Sequence, residues 1–170
     1  MGGGTDLRSF YSKEDGQVLS TAIDKYIYVA VKRQLDIVEF KYRVNWSKVE
    51  FKNDINDIEH PIVRESLRVM GVDFPVEITT FADIPAQSGL GSSSSFTVGL
   101  LHALFALKNQ MVSKSRLASM AAHVEVDILG RNMGKQDHYA ATYGNLNVDL
   151  LKKPFLTVLS LVDTYKIGIL

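Results

Sequence analysis

The chain predicts an α+β domain, a mixed or antiparallel sheet with helices packed on one side. Two observations carry this. Segments rich in β-branched and aromatic residues fill the first half, and helical spacings dominate the second. A glycine- and serine-rich loop at residues 85–95 then runs straight into Phe96-Thr-Val-Gly-Leu-Leu-His-Ala-Leu-Phe-Ala-Leu107. That helix is apolar on nearly every side, so it should be central and buried.

Taken in order, residues 1–16 read as loop and turn. Residues 17–23 and 26–33 read as strands, the second alternating in Tyr26-Ile-Tyr-Val-Ala-Val31. Residues 36–44 and 48–51 are further strand candidates, and 53–57 is a loop. Residues 60–70 look helical, with Ile62, Leu67 and Met70 near one face and Gly71 as the stop. Residues 75–81 alternate again as a strand. Ser113 caps a helix expected to run to about Leu129. Its core stripe is Leu117, Met120, Ala121, Val124 and Ile128. A loop at 130–135, a short helix at 136–143 and a strand at 145–151 follow.

The chain has 170 residues, 46% of them hydrophobic, enough for one domain with its own core. Lys plus Arg and Asp plus Glu both number 19, so the formal net charge is zero. A neutral chain recruits neither nucleic acid nor an anionic membrane through its bulk field, and neither is expected as a partner. Without cysteine there is no disulfide framework and no thiolate metal site. No apolar stretch follows Met1, so a secretory leader is not expected and the cytoplasm is the expected location. The apolar tail at 155–170 carries Asp163 and Lys166 and is too short to span a bilayer.

The loop holds the clearest chemistry. Gly89 and Gly91 allow positive φ or close approach of the backbone to a ligand. Ser92, Ser93, Ser94 and Ser95 then occupy a first helical turn, whose amides lack intrahelical partners and attract anions, phosphate above all. This is not a Walker A motif, since no lysine follows the glycines. The competing reading is a flexible serine-rich linker, but linkers do not lead into so apolar a helix.

Three other places carry chemistry. Asp137 stands where Gly134-Lys-Gln-Asp-His138 turns into a helix. The helix dipole should keep it ionised there, either as a general base or simply as an N-cap. Glu125 lies on a small-residue stripe with Ala118, Ala122 and Leu129. It is either a solvated helix glutamate or, with a loop serine, a ligand for Mg²⁺ on nucleotide phosphates. Gly2-Gly-Gly-Thr-Asp6 reads either as a frayed terminus or as a backbone cradle with a carboxylate acceptor for sugar hydroxyls. Histidines 60, 102, 123 and 138 show no metal spacing, and His138 is expected to line the same cleft as Asp137.

Taken together, these motifs resemble the GHMP small-molecule kinases, and among them the branch that acts on D-glycero-D-manno-heptose 7-phosphate. The resemblance rests on four ordered segments: Gly2-Gly-Gly-Thr-Asp6, Leu19-Ser-Thr-Ala-Ile-Asp-Lys-Tyr26, the serine run with Phe96-Thr-Val-Gly-Leu-Leu101, and Gly134-Lys-Gln-Asp-His-Tyr-Ala-Ala141. It implies a domain like domain 2 of ribosomal protein S5. It also implies ATP and Mg²⁺ as cofactors and a small-molecule sugar phosphate as substrate. Pro85, Gln87, Ser88, Gly89, Leu90, Gly91, Ser92, Ser93, Ser94 and Ser95 would wrap the ATP phosphates. Ser93 and Glu125 would hold Mg²⁺, Asp137 would deprotonate the sugar's anomeric hydroxyl, and Gly4, Thr5 and Asp6 would line the sugar pocket.

Set against the family pattern, residues 1–151 are expected to be the N-terminal ATP-binding domain without its first strand. Residues 152–170 are expected to be an atypical tail, with the family's C-terminal domain absent from the chain. Another sugar 1-kinase, of the fucokinase type, is the alternative enzyme. A catalytically silent nucleotide-binding domain that associates with a partner is the alternative outside catalysis, and a homo-oligomer is compatible with either reading.

Overall fold

A computed structural model describes residues 4–85, 88–152 and 155–160. Its strands fall into two sheets rather than one. β1 (Gly16–Thr21), β6 (Leu146–Lys152) and β7 (Phe155–Ser160) form an antiparallel sheet in the order β1-β6-β7. β2 (Ile27–Arg33), β3 (Tyr42–Asn45), β4 (Val49–Lys52) and β5 (Val76–Ala82) form a mixed sheet in the order β2-β5-β3-β4, parallel only where β3 meets β5. Between β1 and β2 the chain passes from one sheet to the other.

Alternation sets the register of the mixed sheet. Tyr42, Val44, Val76 and Ile78 are buried beneath the helices, while Tyr28, Arg43, Phe51 and Phe81 lie on the outer face and are exposed. The helices follow in order: the single turn α1 (Arg8–Tyr11), α2 (Pro61–Val69), α3 (Ser92–Leu107), α4 (Lys114–Ala122) and α5 (Gln136–Tyr143). α2 begins with Pro61 at its first position, capped by His60, whose ring accepts from the Val63 amide. Its Ile62, Val63 and Leu67 are buried.

α3 is the central helix. Leu100, Leu101 and Leu104 are wholly inaccessible. Each such side chain stabilises the fold by roughly 1.5–3 kcal/mol. Gly99 permits the close seat on β2: an added methyl would stand 3.2 Å from Val29 Cγ2. The helix is nonetheless not buried all round, since His102 and Ala106 face outward.

Two segments depart from the sequence reading. Of the strand expected at 36–44, residues 36–41 are not strand, and β3 begins only at Tyr42. β2 ends where the Gln34 amide bonds to the Pro75 carbonyl, and Leu35 and Ile37 are exposed beyond it. β-propensity without a neighbouring strand to pair with does not make a ladder. The helix expected to reach Leu129 stops at Ala122 and widens into a π turn over His123–Ile128. The Leu129 amide there reaches back five residues, to the Val124 carbonyl at 3.0 Å. The wider turn takes Ile128 off the core stripe, leaving it exposed, while Leu117, Ala121 and Val124 stay buried.

Candidate active site

The loop reaches α3 through two left-handed glycines, Gly89 at φ +74° and Gly91 at φ +71°. Gly91 caps the helix, and the first intrahelical bond runs from the Ser95 amide to its carbonyl at 2.9 Å. The amides of Ser92, Ser93 and Ser94 therefore precede the ladder and stand free for an anion. Gly89, Leu90, Gly91, Ser92 and Ser95 border a cleft of about 730 Å³ between β1, β2, α3 and α5. Ser94 points inward and is buried. Pro85 and Ser88 are exposed and are not among the residues that border the cleft, and Gln87 falls outside the described residues.

Glu125 sits in the π turn with no exposed surface, which removes the solvated-glutamate alternative. Its Oε1 accepts from Thr97 Oγ1 at 2.7 Å and faces His138 Nε2 at 3.1 Å. Its Oε2 accepts from Ser93 Oγ at 2.9 Å and pairs with Arg131. Burial alone would push this carboxyl up. The hydrogen bonds from His138, Thr97 and Ser93 outweigh it and hold the pKa below the ordinary glutamate value.

Asp137 lies in the first turn of α5 and lines the cleft opposite the loop. It is not the N-cap, a place taken by Lys135. The dipole argument predicts a readily ionised carboxyl. Burial instead pushes its pKa above the ordinary value, with the Asp6 and Glu125 charges acting the same way against His138. His138 does not line the cleft. It is wholly buried and turned toward Glu125.

Asp6 is buried at 3% exposure, and its Oδ2 accepts the Gln136 amide at 3.1 Å. It thus ties the segment after Gly4 to the start of α5, one residue from Asp137. Gly4 takes φ +60° and Thr5 Oγ1 donates to the Gln17 carbonyl at 2.9 Å, so this segment is ordered against β1 rather than frayed.

Thr97 and Arg131 complete the Glu125 cluster and were not singled out in the sequence. Thr97 stands four residues after Ser93, one turn along the same face of α3, a spacing that could have found it. Arg131 sits on a loop and leaves no such periodic signal.

The chain matches the family model described as GHMP kinases N terminal domain over residues 59–145, just over half its length. The chain belongs to this family. It is 32% identical over 155 residues to D-glycero-alpha-D-manno-heptose 7-phosphate kinase of Campylobacter jejuni, covering 86% of this chain and 46% of that one. It is 25% identical over 138 residues to a galactokinase of Thermotoga maritima, covering 76% of this chain and 38% of that one. The crystal structure of a D-glycero-D-manno-heptose 1-phosphate kinase from Bacteriodes thetaiotaomicron superposes with a TM-score of 0.82 at 25% identity, over 95% of this chain and 56% of that one. This GHMP domain therefore spans about half the length of the relatives it matches. No helix among its described residues is long and apolar enough to cross a membrane.

Proposed function

We propose that this GHMP domain forms the ATP-binding side of a sugar kinase that transfers the γ-phosphate of ATP to the anomeric hydroxyl of a sugar, with D-glycero-D-manno-heptose 7-phosphate as the substrate. One observation carries the reading: the start of α3 after Gly91 and Asp137 border the same cleft, and Ser93, behind that border, is hydrogen-bonded to the buried Glu125. The kinases named for heptose phosphates among its relatives favour the sugar, although their names differ on the position of the phosphate.

In this reading Gly89 to Ser95 bind the ATP phosphates through backbone amides at the positive end of α3. Asp137 takes the proton of the sugar hydroxyl as its oxygen bonds to the γ-phosphorus. The bond from that phosphorus to the bridging oxygen breaks, and ADP leaves. A carboxyl raised toward the working pH suits a base of this kind. Gly4, Thr5 and Asp6 shape the sugar side, and Asp6 sets the start of α5 and so the aim of Asp137.

Ser93 Oγ and the Glu125 carboxylate are hard oxygen donors 2.9 Å apart, of the kind Mg²⁺ takes. Among the described residues no cluster of three His, Cys, Asp or Glu side chains stands ready for a metal. That donor set fits a cation that arrives on the nucleotide with phosphate and water as its other ligands. When bound it would offset the charge of the phosphates.

The test is ADP release from MgATP with heptose 7-phosphate, fucose and galactose, with Asp137→Asn as the blank. Turnover above the blank for heptose 7-phosphate supports the reading. A preference for fucose moves the assignment to another sugar 1-kinase. ATP binding without turnover for any sugar leaves a silent nucleotide-binding domain.

A further inference from the structure

The Glu125 carboxylate has no acceptor position left. An ionised carboxylate offers about four lone-pair sites, and four donors surround this one. Thr97 Oγ1 and His138 Nε2 occupy Oε1, at 2.7 and 3.1 Å. Ser93 Oγ occupies Oε2 at 2.9 Å together with Arg131 Nη1. A lone pair shared with a donor hydrogen is not available to a cation, so a metal that binds Glu125 must displace one of the four.

The four differ in how easily they leave. Ser93 is in this reading the metal's other ligand and stays at the site, while Thr97 of α3 and His138 of α5 are buried among packed helices. Arg131 alone stands on a loop. Gly130 precedes it at φ +62°, and its side chain is 35% exposed while Glu125 is wholly covered. Its guanidinium can swing away without unpacking a helix. Charge selects the same group. A buried carboxylate needs one cationic partner, and a second cation at the same oxygen would be repelled by the first.

We infer that Arg131 is a positioning residue: a resident cationic partner that keeps the Glu125 carboxylate aligned with Ser93, and that yields Oε2 when Mg²⁺ arrives with the nucleotide. This rests on the Mg²⁺-nucleotide reading above. Arg131 is then an internal competitor of the metal, so removing it should tighten metal binding. A purely structural ion pair would weaken the site on removal instead.

The experiment titrates Mg²⁺ into the protein at a fixed concentration of a non-hydrolysable ATP analogue, with binding followed by calorimetry. Arg131→Gln should lower the half-saturating Mg²⁺ concentration by about tenfold, the scale of one charge-assisted hydrogen bond, and Glu125→Gln should raise it. An unchanged or raised value in Arg131→Gln overturns the inference. A ¹⁵N side-chain spectrum of the wild type covers the case in which that variant fails to fold. The Arg131 Nε resonance should move with analogue plus Mg²⁺ and stay still with analogue plus EDTA. A resonance that ignores Mg²⁺ overturns the inference while leaving Mg²⁺-dependent binding intact. Wild-type binding with no Mg²⁺ dependence overturns the metal reading itself, and the role of Arg131 with it.

Discussion

Gly91 faces the Asp137 carboxyl: a methyl added to this glycine would stand 3.4 Å from Asp137 Cγ and 3.5 Å from Oδ2. The cap of α3 and the proposed base thus face each other across the cleft. Gly91→Ala would strain a left-handed backbone, at about 1–2 kcal/mol, and crowd the carboxylate. We expect a lower melting temperature and about tenfold weaker binding of an ATP analogue by calorimetry. Unchanged affinity would separate the loop from the phosphates.

Gly134 supports the other side. A methyl there would fall 1.6 Å from Asp6 Oδ2, although the backbone is not left-handed. Gly134→Ala should therefore expel Asp6, break its bond to the Gln136 amide and cost roughly 1–3 kcal/mol. Pairing it with Asp6→Ala should restore stability in a thermal melt but not sugar-dependent turnover. Recovery of both would remove Asp6 from the sugar site.

Asp137 should give the acid limb of the rate profile. A base works only when ionised, so kcat/KM should fall as pH drops through a pKa above the ordinary carboxylate value of about 3.9. Asp137→Asn should remove that limb and lower kcat by about 10²–10⁴-fold.

Asp149 is 1% exposed on β6, and neither of its carboxyl oxygens has a hydrogen-bond partner among the described residues. Burial, and next the Asp6 charge, push it from 3.8 up to about 6. The folded state therefore holds a proton that the unfolded chain releases earlier. Stability should fall as pH rises from about 4 to about 6, by roughly 2–3 kcal/mol, and stay lower above that. Denaturant titrations from pH 4 to 8 should show this slope in the wild type and lose it in Asp149→Asn.

The helix 136–143, the strand at 26–33 and the burial of Phe96, Leu100, Leu101, Leu104 and Phe105 were legible because local pattern and tertiary environment agree there. Residues 36–41 misled because β-branched content says nothing about whether a partner strand is adjacent. The dipole at the start of α5 suggested an ionised Asp137, but burial, which depends on residues far away in sequence, outweighs it. For the candidate site, the family resemblance grouped Ser93, Glu125 and Asp137, and the structure places Ser93 Oγ 2.9 Å from Glu125 Oε2. The loop position of Arg131 and the inward turn of His138 depend on backbone geometry that no spacing rule encodes.

The π turn at 123–128 carries a last implication. Such a turn holds one residue more than an α turn. Deleting His123, Asp127 or Ile128 would let the turn close to an ordinary α turn, its flanks still in phase, and would move the side chains inside it to new places on the helix face. Glu125 would keep its neighbours in sequence yet lose its line to Ser93. The proposed metal site would therefore depend on chain length as much as on side-chain identity, and an insertion or deletion scan would expose it where alanine scanning would not.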